Sequence, residues 1–195
     1  MSKGRLEAFS DGVIAIIITI MVLELKVPQG ADLAALRPLL PKVLSYVLSF
    51  VFLGIYWNNH HHLFRLVQHV NGRILWANLH LLFWLSLTPF VTGWMGENDF
   101  APVPVAVYGA VLWLDGFAYH LLVRSLVAVH GQDSELAVAL GKDVKGMVSL
   151  VLITIAILLT FVNSWLAFGL LVVNAVMWFI PDRRIEKRLD DQATL

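Results

Sequence analysis

Arg5-Leu6-Glu7-Ala8-Phe9-Ser10-Asp11-Gly12, continued by Val13-Ile14-Ala15-Ile16-Ile17-Ile18-Thr19-Ile20-Met21-Val22-Leu23, is the stretch around which the chain is organised. Between Val13 and Leu23 only Thr19 is polar, yet Asp11 and Glu24 bracket the run. An ionised carboxylate facing hydrocarbon is costly, so a helix that served only as an anchor would avoid both. At 100° per residue Phe9, Gly12, Ile16, Thr19, Ile20, Leu23 and Val27 fall on one stripe, with Asp11 roughly opposite and Glu24 at its flank. One face is thus apolar except for a hydroxyl.

Composition supports a membrane reading. The 195 residues are 58% hydrophobic, with mean hydropathy +0.75, well above a soluble domain. Lys and Arg number 14 against 14 Asp and Glu, so no basic surface points to nucleic acid and no acidic tail to disorder. The absence of cysteine excludes disulfides and thiolate metal sites. No small-residue cleavage site follows the first apolar run, which is expected to be retained.

A bilayer core of about 30 Å needs about 20 mostly apolar residues per helix. Six segments are expected to cross, at about 9–27, 40–62, 74–95, 103–124, 144–161 and 165–180. The breaks carry turn chemistry: Pro28-Gln29-Gly30, Asn71-Gly72, Gly96 to Asp99, His130 to Ser134 and Asn163-Ser164. The fold expected is all-α, one six-helix transmembrane unit over 1–195, with no soluble module and no internal repeat. With the N-terminus inside, the inner side holds Lys3, Arg5, Arg65, Arg73, Arg124, Lys142, Lys145, Arg183, Arg184, Lys187 and Arg188, and the outer side Lys26, Arg37 and Lys42. That asymmetry places both termini in the cytoplasm. Trp57, Trp76, Trp94 and Trp165 lie near helix ends as interfacial anchors, whereas Trp84 and Trp113 lie deeper, between helices.

Ser10-Asp11-Gly12 could cap a helix, but a carboxylate inside a span more often joins a polar cluster. Asp11, Asn58, His60, His61, His62, Asn78, His80, His120 and Asp115 all belong to the inner half, on four helices. Asp11 points away from the stripe, and a histidine of the 60–62 run or His80 is its expected partner. Successive helical residues diverge by 100°, so the three adjacent histidines cannot chelate one metal ion together. The chain lacks the GxSxG, HExxH, Walker and dinucleotide fingerprints of enzymes, and it lacks the TVGYG loop of the familiar potassium filter.

The RxxxFSDG string, the Ile/Thr-rich helix and Leu23-Glu24-Leu25 together resemble the first helix of the transmembrane protein 175 potassium-channel family in its prokaryotic single-repeat form. Detailed similarity is confined to that helix; length and hydropathy fit over most of the chain. The resemblance implies a homotetramer in the prokaryotic inner membrane, with the first helices lining the axis and permeant monovalent cations, potassium foremost, in place of any cofactor. It implies that Ile16 is the narrow constriction, Thr19 a selectivity layer near mid-membrane, and Ile20 and Leu23 further apolar seals. Phe9, Ser10 and Asp11, with Arg5 at its spacing, match the signature motif. The rival reading is a membrane-embedded enzyme, or a metal- or proton-handling carrier, built on Asp11 and the inner histidines.

Overall fold

The computed structural model describes residues 2–141 and 143–179. Ile180, expected to end the sixth segment, and Lys142, Arg183, Arg184, Lys187 and Arg188 of the inner basic set lie outside the described residues. Among those described, every regular element is helical: α1 (Lys3–Leu23), a 3₁₀ turn (Leu33–Leu39), α2 (Leu40–Arg65), α3 (Gly72–Leu85), α4 (Thr88–Glu97), α5 (Pro102–His130), α6 (Glu135–Leu140), α7 (Val144–Leu159) and α8 (Ser164–Phe179).

Among the described residues, four spans are long and apolar enough to cross a membrane: Lys3–Leu23, Leu33–Arg65, Gly72–Glu97 and Pro102–His130. The apolar helices α7 and α8 have 16 residues each, about 24 Å of rise against the ~30 Å of a bilayer core. The expected segments recur with shifted ends. α1 starts six residues before Phe9, because no proline interrupts the residues that lead into the apolar run and Gly4 alone does not stop the helix. It stops at Leu23, and the chain turns at Glu24 and Leu25, whose N–H groups bond back to Met21 and Val22 carbonyls. The third segment divides into α3 and α4 at Ser86-Leu87, since Pro89 in the first turn of α4 has no N–H to continue the ladder. α5 runs past residue 124 to His130 and ends at Gly131, whose φ of 92° favours a residue without Cβ. The short α6, capped by the Ser134 hydroxyl accepting from Ala137 N–H at 3.2 Å, lies in what reads as a connection.

Side-chain contacts fix which ends lie together. Glu97 at the end of α4 pairs with Lys42 of α2 at 3.0 Å and with Lys26, just past α1, at 3.8 Å. The Gln68 N–H of the α2–α3 linker meets His130 at the end of α5. Successive spans therefore alternate in direction. α5 is the hub, packed on α3, α4, α7 and α8, while α1 packs on α2, α3 and α4 at the edge. One apolar core joins Leu6, Ile14, Ile17 and Met21 of α1 to α2, α3 and α5. A second joins α2, α4, α5, α7 and α8 through Phe52, Tyr108, Ile153 and Leu171. Because lipid is as apolar as leucine, close backbone approach replaces the hydrophobic effect between such helices. At Gly96 a Cβ would stand 2.8 Å from Lys42 Cα, and at Gly109 2.8 Å from Ile157 Cγ1.

Candidate pore helix and its seat

α1 divides along its length into two faces. Leu6, Ser10, Ile14, Ile17 and Met21 are buried against the rest of the chain. Phe9, Gly12, Ile16, Thr19, Ile20 and Leu23 are all exposed, Ile16 at 59% and Leu23 at 75%. The stripe read from 100° spacing is therefore the face that this protomer leaves uncovered. It carries one polar side chain, and that hydroxyl is oriented: Thr19 Oγ1 donates to the Ile16 carbonyl at 2.9 Å. With its only hydrogen turned to the backbone, the oxygen presents lone pairs outward. Thr19 lies about 6 Å before the end of α1, one turn from Leu23, rather than at its centre.

The buried face is held by a polar chain. Ser10 Oγ donates to the Leu6 carbonyl at 2.9 Å. The Asn78 amide donates to Ser10 Oγ at 2.9 Å, and Asn78 Oδ1 lies 2.8 Å from His60 Nε2. An amide oxygen only accepts, so His60 carries hydrogen on Nε2. All three side chains are buried, and each is paired within this chain of bonds, as polar groups within a span require. His60 also stacks on Phe64 with ring centres 4.4 Å apart.

Capping is excluded for Ser10 to Gly12, which lie in the interior of α1. Asp11 does not meet a histidine: its Oδ1 accepts from Trp57 Nε1 at 3.0 Å. Asp11 sits at the flank of α1, where the indole of α2 reaches it and the histidines do not. The histidine run diverges as 100° spacing requires. His60 points inward, His61 is exposed and stacks on Trp57 at 5.9 Å, and His62 lies edge-on to His61 at 5.6 Å. His80 accepts from Trp84, one turn along α3, at 2.9 Å and is not in the chain of bonds. His120 faces Asp143 at 3.9 Å, and Asp115 is fully buried on α5 with neither oxygen hydrogen-bonded. Three helices, not four, supply the seat, and no group of three metal-ligating side chains occurs among the described residues. Arg5 is exposed in the first turn. Sequence reasoning placed Asn78 in the cluster without its bridging role, and it read Trp57 as an interfacial anchor.

The fold and its apolar spans define a helical membrane protein whose first helix is seated on one face and uncovered on the other. Comparison with known proteins gives the class more closely, that of ion channels. The sequence pattern of the family described as "Endosomal/lysosomal potassium channel TMEM175" matches residues 5–89, which build α1 and its seat. A potassium channel of Chryseobacterium sp. (strain P1-3) is 52% identical over 98% of this chain and 100% of that one. The crystal structure of a lysosomal potassium-selective channel TMEM175 homolog from Chamaesiphon minutus superposes with a TM-score of 0.80 at 30% identity, over 91% of this chain and 96% of that one. The human endosomal/lysosomal proton channel TMEM175 is 41% identical over 76 residues, 33% of this chain and 15% of that much longer one. The chain belongs to the TMEM175 family, whose members are ion channels and not enzymes.

Proposed function

We propose that this chain forms a potassium-selective channel, a homotetramer in a prokaryotic cell membrane in which four copies of α1 surround the axis. Each subunit crosses the membrane six times, α7 and α8 included, with both termini cytoplasmic. Ile16 forms the narrow neck, Ile20 and Leu23 form further apolar rings, and Thr19 sets a ring of oxygens between them. Arg5, Phe9, Ser10 and Asp11 position the helix.

The observation that carries this reading is the uncovered stripe of α1 with its single oriented hydroxyl. A partly dehydrated cation needs oxygen lone pairs in place of water, and the Thr19 rotamer offers lone pairs and withholds the hydrogen. The apolar rings on either side offer none, so an ion rests at Thr19 or passes. Potassium gives up water more readily than sodium, and a weak oxygen ring with no TVGYG carbonyls favours the cation that is cheaper to dehydrate. The names of the Chryseobacterium and Chamaesiphon relatives agree with this ion.

Reconstituted flux of potassium, sodium and caesium tests it. Thr19→Val keeps the shape and removes the oxygen. Its ratio of potassium to sodium flux is expected to fall about fivefold, the equivalent of one lost interaction of about 1 kcal/mol. An unchanged ratio rejects the threonine layer, and proton flux without potassium flux rejects the ion.

A further inference from the structure

The α2–α3 linker, residues 66–71, is tied to the end of α5 through His130, and the partners of its two ring nitrogens define where the proton sits. Nδ1 lies 2.9 Å from the Leu126 carbonyl oxygen, which only accepts, so Nδ1 carries the hydrogen. Nε2 lies 3.2 Å from the backbone N–H of Gln68, which only donates, so Nε2 presents its lone pair. The bond exists only while the imidazole is neutral. A proton on Nε2 would set one N–H against another. The ring of His69, from the same linker, stacks on His130 with centres 4.9 Å apart and planes at 21°, so a second charge would add repulsion at close range.

We infer that His130 and His69 form a pH latch that holds the linker closed when neutral and releases it on acidification of that side of the membrane. The charged groups on the surrounding elements are Arg65 at the end of α2, Arg73 at the start of α3, and Asp133 and Glu135 around the turn into α6. All four are exposed, and none of them takes part in an ion pair among the described residues. Neither carboxylate is therefore in place to neutralise an imidazolium at position 130. The linker has a route to the pore helix. It ends at Asn71, whose side chain caps α3 by accepting from Ile74 N–H at 3.0 Å. Two turns further on, Asn78 grips Ser10 of α1. The latch stands on its own geometry, whereas its effect on conduction rests on the channel reading.

The chain has no cysteine, so one nitroxide label on Gln68→Cys, which keeps the backbone N–H, reports linker motion in the liposome-reconstituted full-length protein. Lowering the pH across the range in which histidines titrate is expected to raise the mobile fraction of the label about fivefold, the population change expected from losing one hydrogen bond. His130→Gln retains an acceptor that does not titrate and should abolish the response. His69→Phe keeps a stacked ring without the neighbouring charge and should lower the mobile fraction reached on acidification, because one of the two repelling charges is gone. Label mobility independent of pH, or an equal response in His130→Gln, overturns the latch. Potassium flux through the unlabelled protein, followed over the same range on the same side, tests the coupling separately. Flux that tracks the label extends the latch to gating, and constant flux beside a responding label overturns that coupling.

Discussion

Ile16 and Ile17 are adjacent and chemically identical, yet they occupy opposite environments, which makes them a direct test of the proposed pore helix. Ile16 is 59% exposed on the stripe, and Ile17 is 4% exposed against the core. Water in a narrow apolar neck lacks hydrogen-bond partners, so the proposed ring of Ile16 side chains would empty and block ions without a plug. Ile16→Asn is expected to wet the neck and raise resting conductance in liposome flux. Ile17→Asn buries an amide with no partner and is expected to lower stability by about 1–3 kcal/mol, read as a lower melting temperature with permeation unchanged. Equal loss of expression in both, with no change of flux, would reject a pore-lining α1. Asn78 offers a second test at this scale, because one amide satisfies both His60 and Ser10. Asn78→Ala leaves two buried polar groups without their partner. Bonds of this kind within membranes average about 0.6 kcal/mol and reach about 1.7 kcal/mol. A thermal melt that matches wild type would show the seat to be dispensable.

Between elements, α1 is tied to α2 at its flank by the Asp11–Trp57 bond and across its buried face by the Ser10 chain. Trp57→Phe retains an aromatic ring and removes the N–H, and Asp11→Ala removes the acceptor. If the bond orients α1, the two single variants and the double variant should lower tetramer yield to a similar degree, since each breaks the same contact. Additive losses would assign Asp11 a different partner in the assembly. α2 and α4 meet at their Glu97 end through Gly96, where a methyl would press on the Lys42 backbone. A backbone cannot rotate aside as a side chain does, so Gly96→Ala is expected to cost about 1–3 kcal/mol through overpacking. The loss should appear as a lower melting temperature. An unchanged melt would mean that the helices part at no cost.

For the whole molecule, orientation rests on charge. Lys26, Lys42 and Glu97 share one end, and the α2–α3 linker with Arg65 and Arg73 lies at the other. Basic residues are retained on the cytoplasmic side, so the excess of Lys and Arg counted over the whole sequence on the linker's side predicts that the linker end lies inside. A tag after Leu195 is expected to stay shielded from an impermeant reagent in intact cells. Labelling of that tag would invert the topology and place the His130 latch outside. The uncovered stripe of α1 needs an apolar partner or lipid, and crosslinking in the membrane is expected to stop at four subunits. A ladder ending at two would leave α1 without a closed ring.

The sequence by itself determined the class, the helical segments to within a turn or two at most ends, and the stripe of α1, because each follows from local hydropathy and a fixed 100° step. The turn at Gly131 was legible, since it depends on one residue's backbone, whereas the division of the 74–95 segment at Pro89 was not read, although it too follows from one missing N–H. The seat was legible only as a list of polar residues. Which of them meet depends on helix packing angles and depth, to which periodicity is blind. Hence Asn78 joined Ser10 to His60, Trp57 took Asp11, and His80 turned to Trp84. The tie between Gln68 and His130, 62 residues apart, depends on α5 extending beyond the apolar run and bringing its last turn under the linker. Tertiary structure alone decided that contact, because no local pattern encodes which loop a helix end will reach.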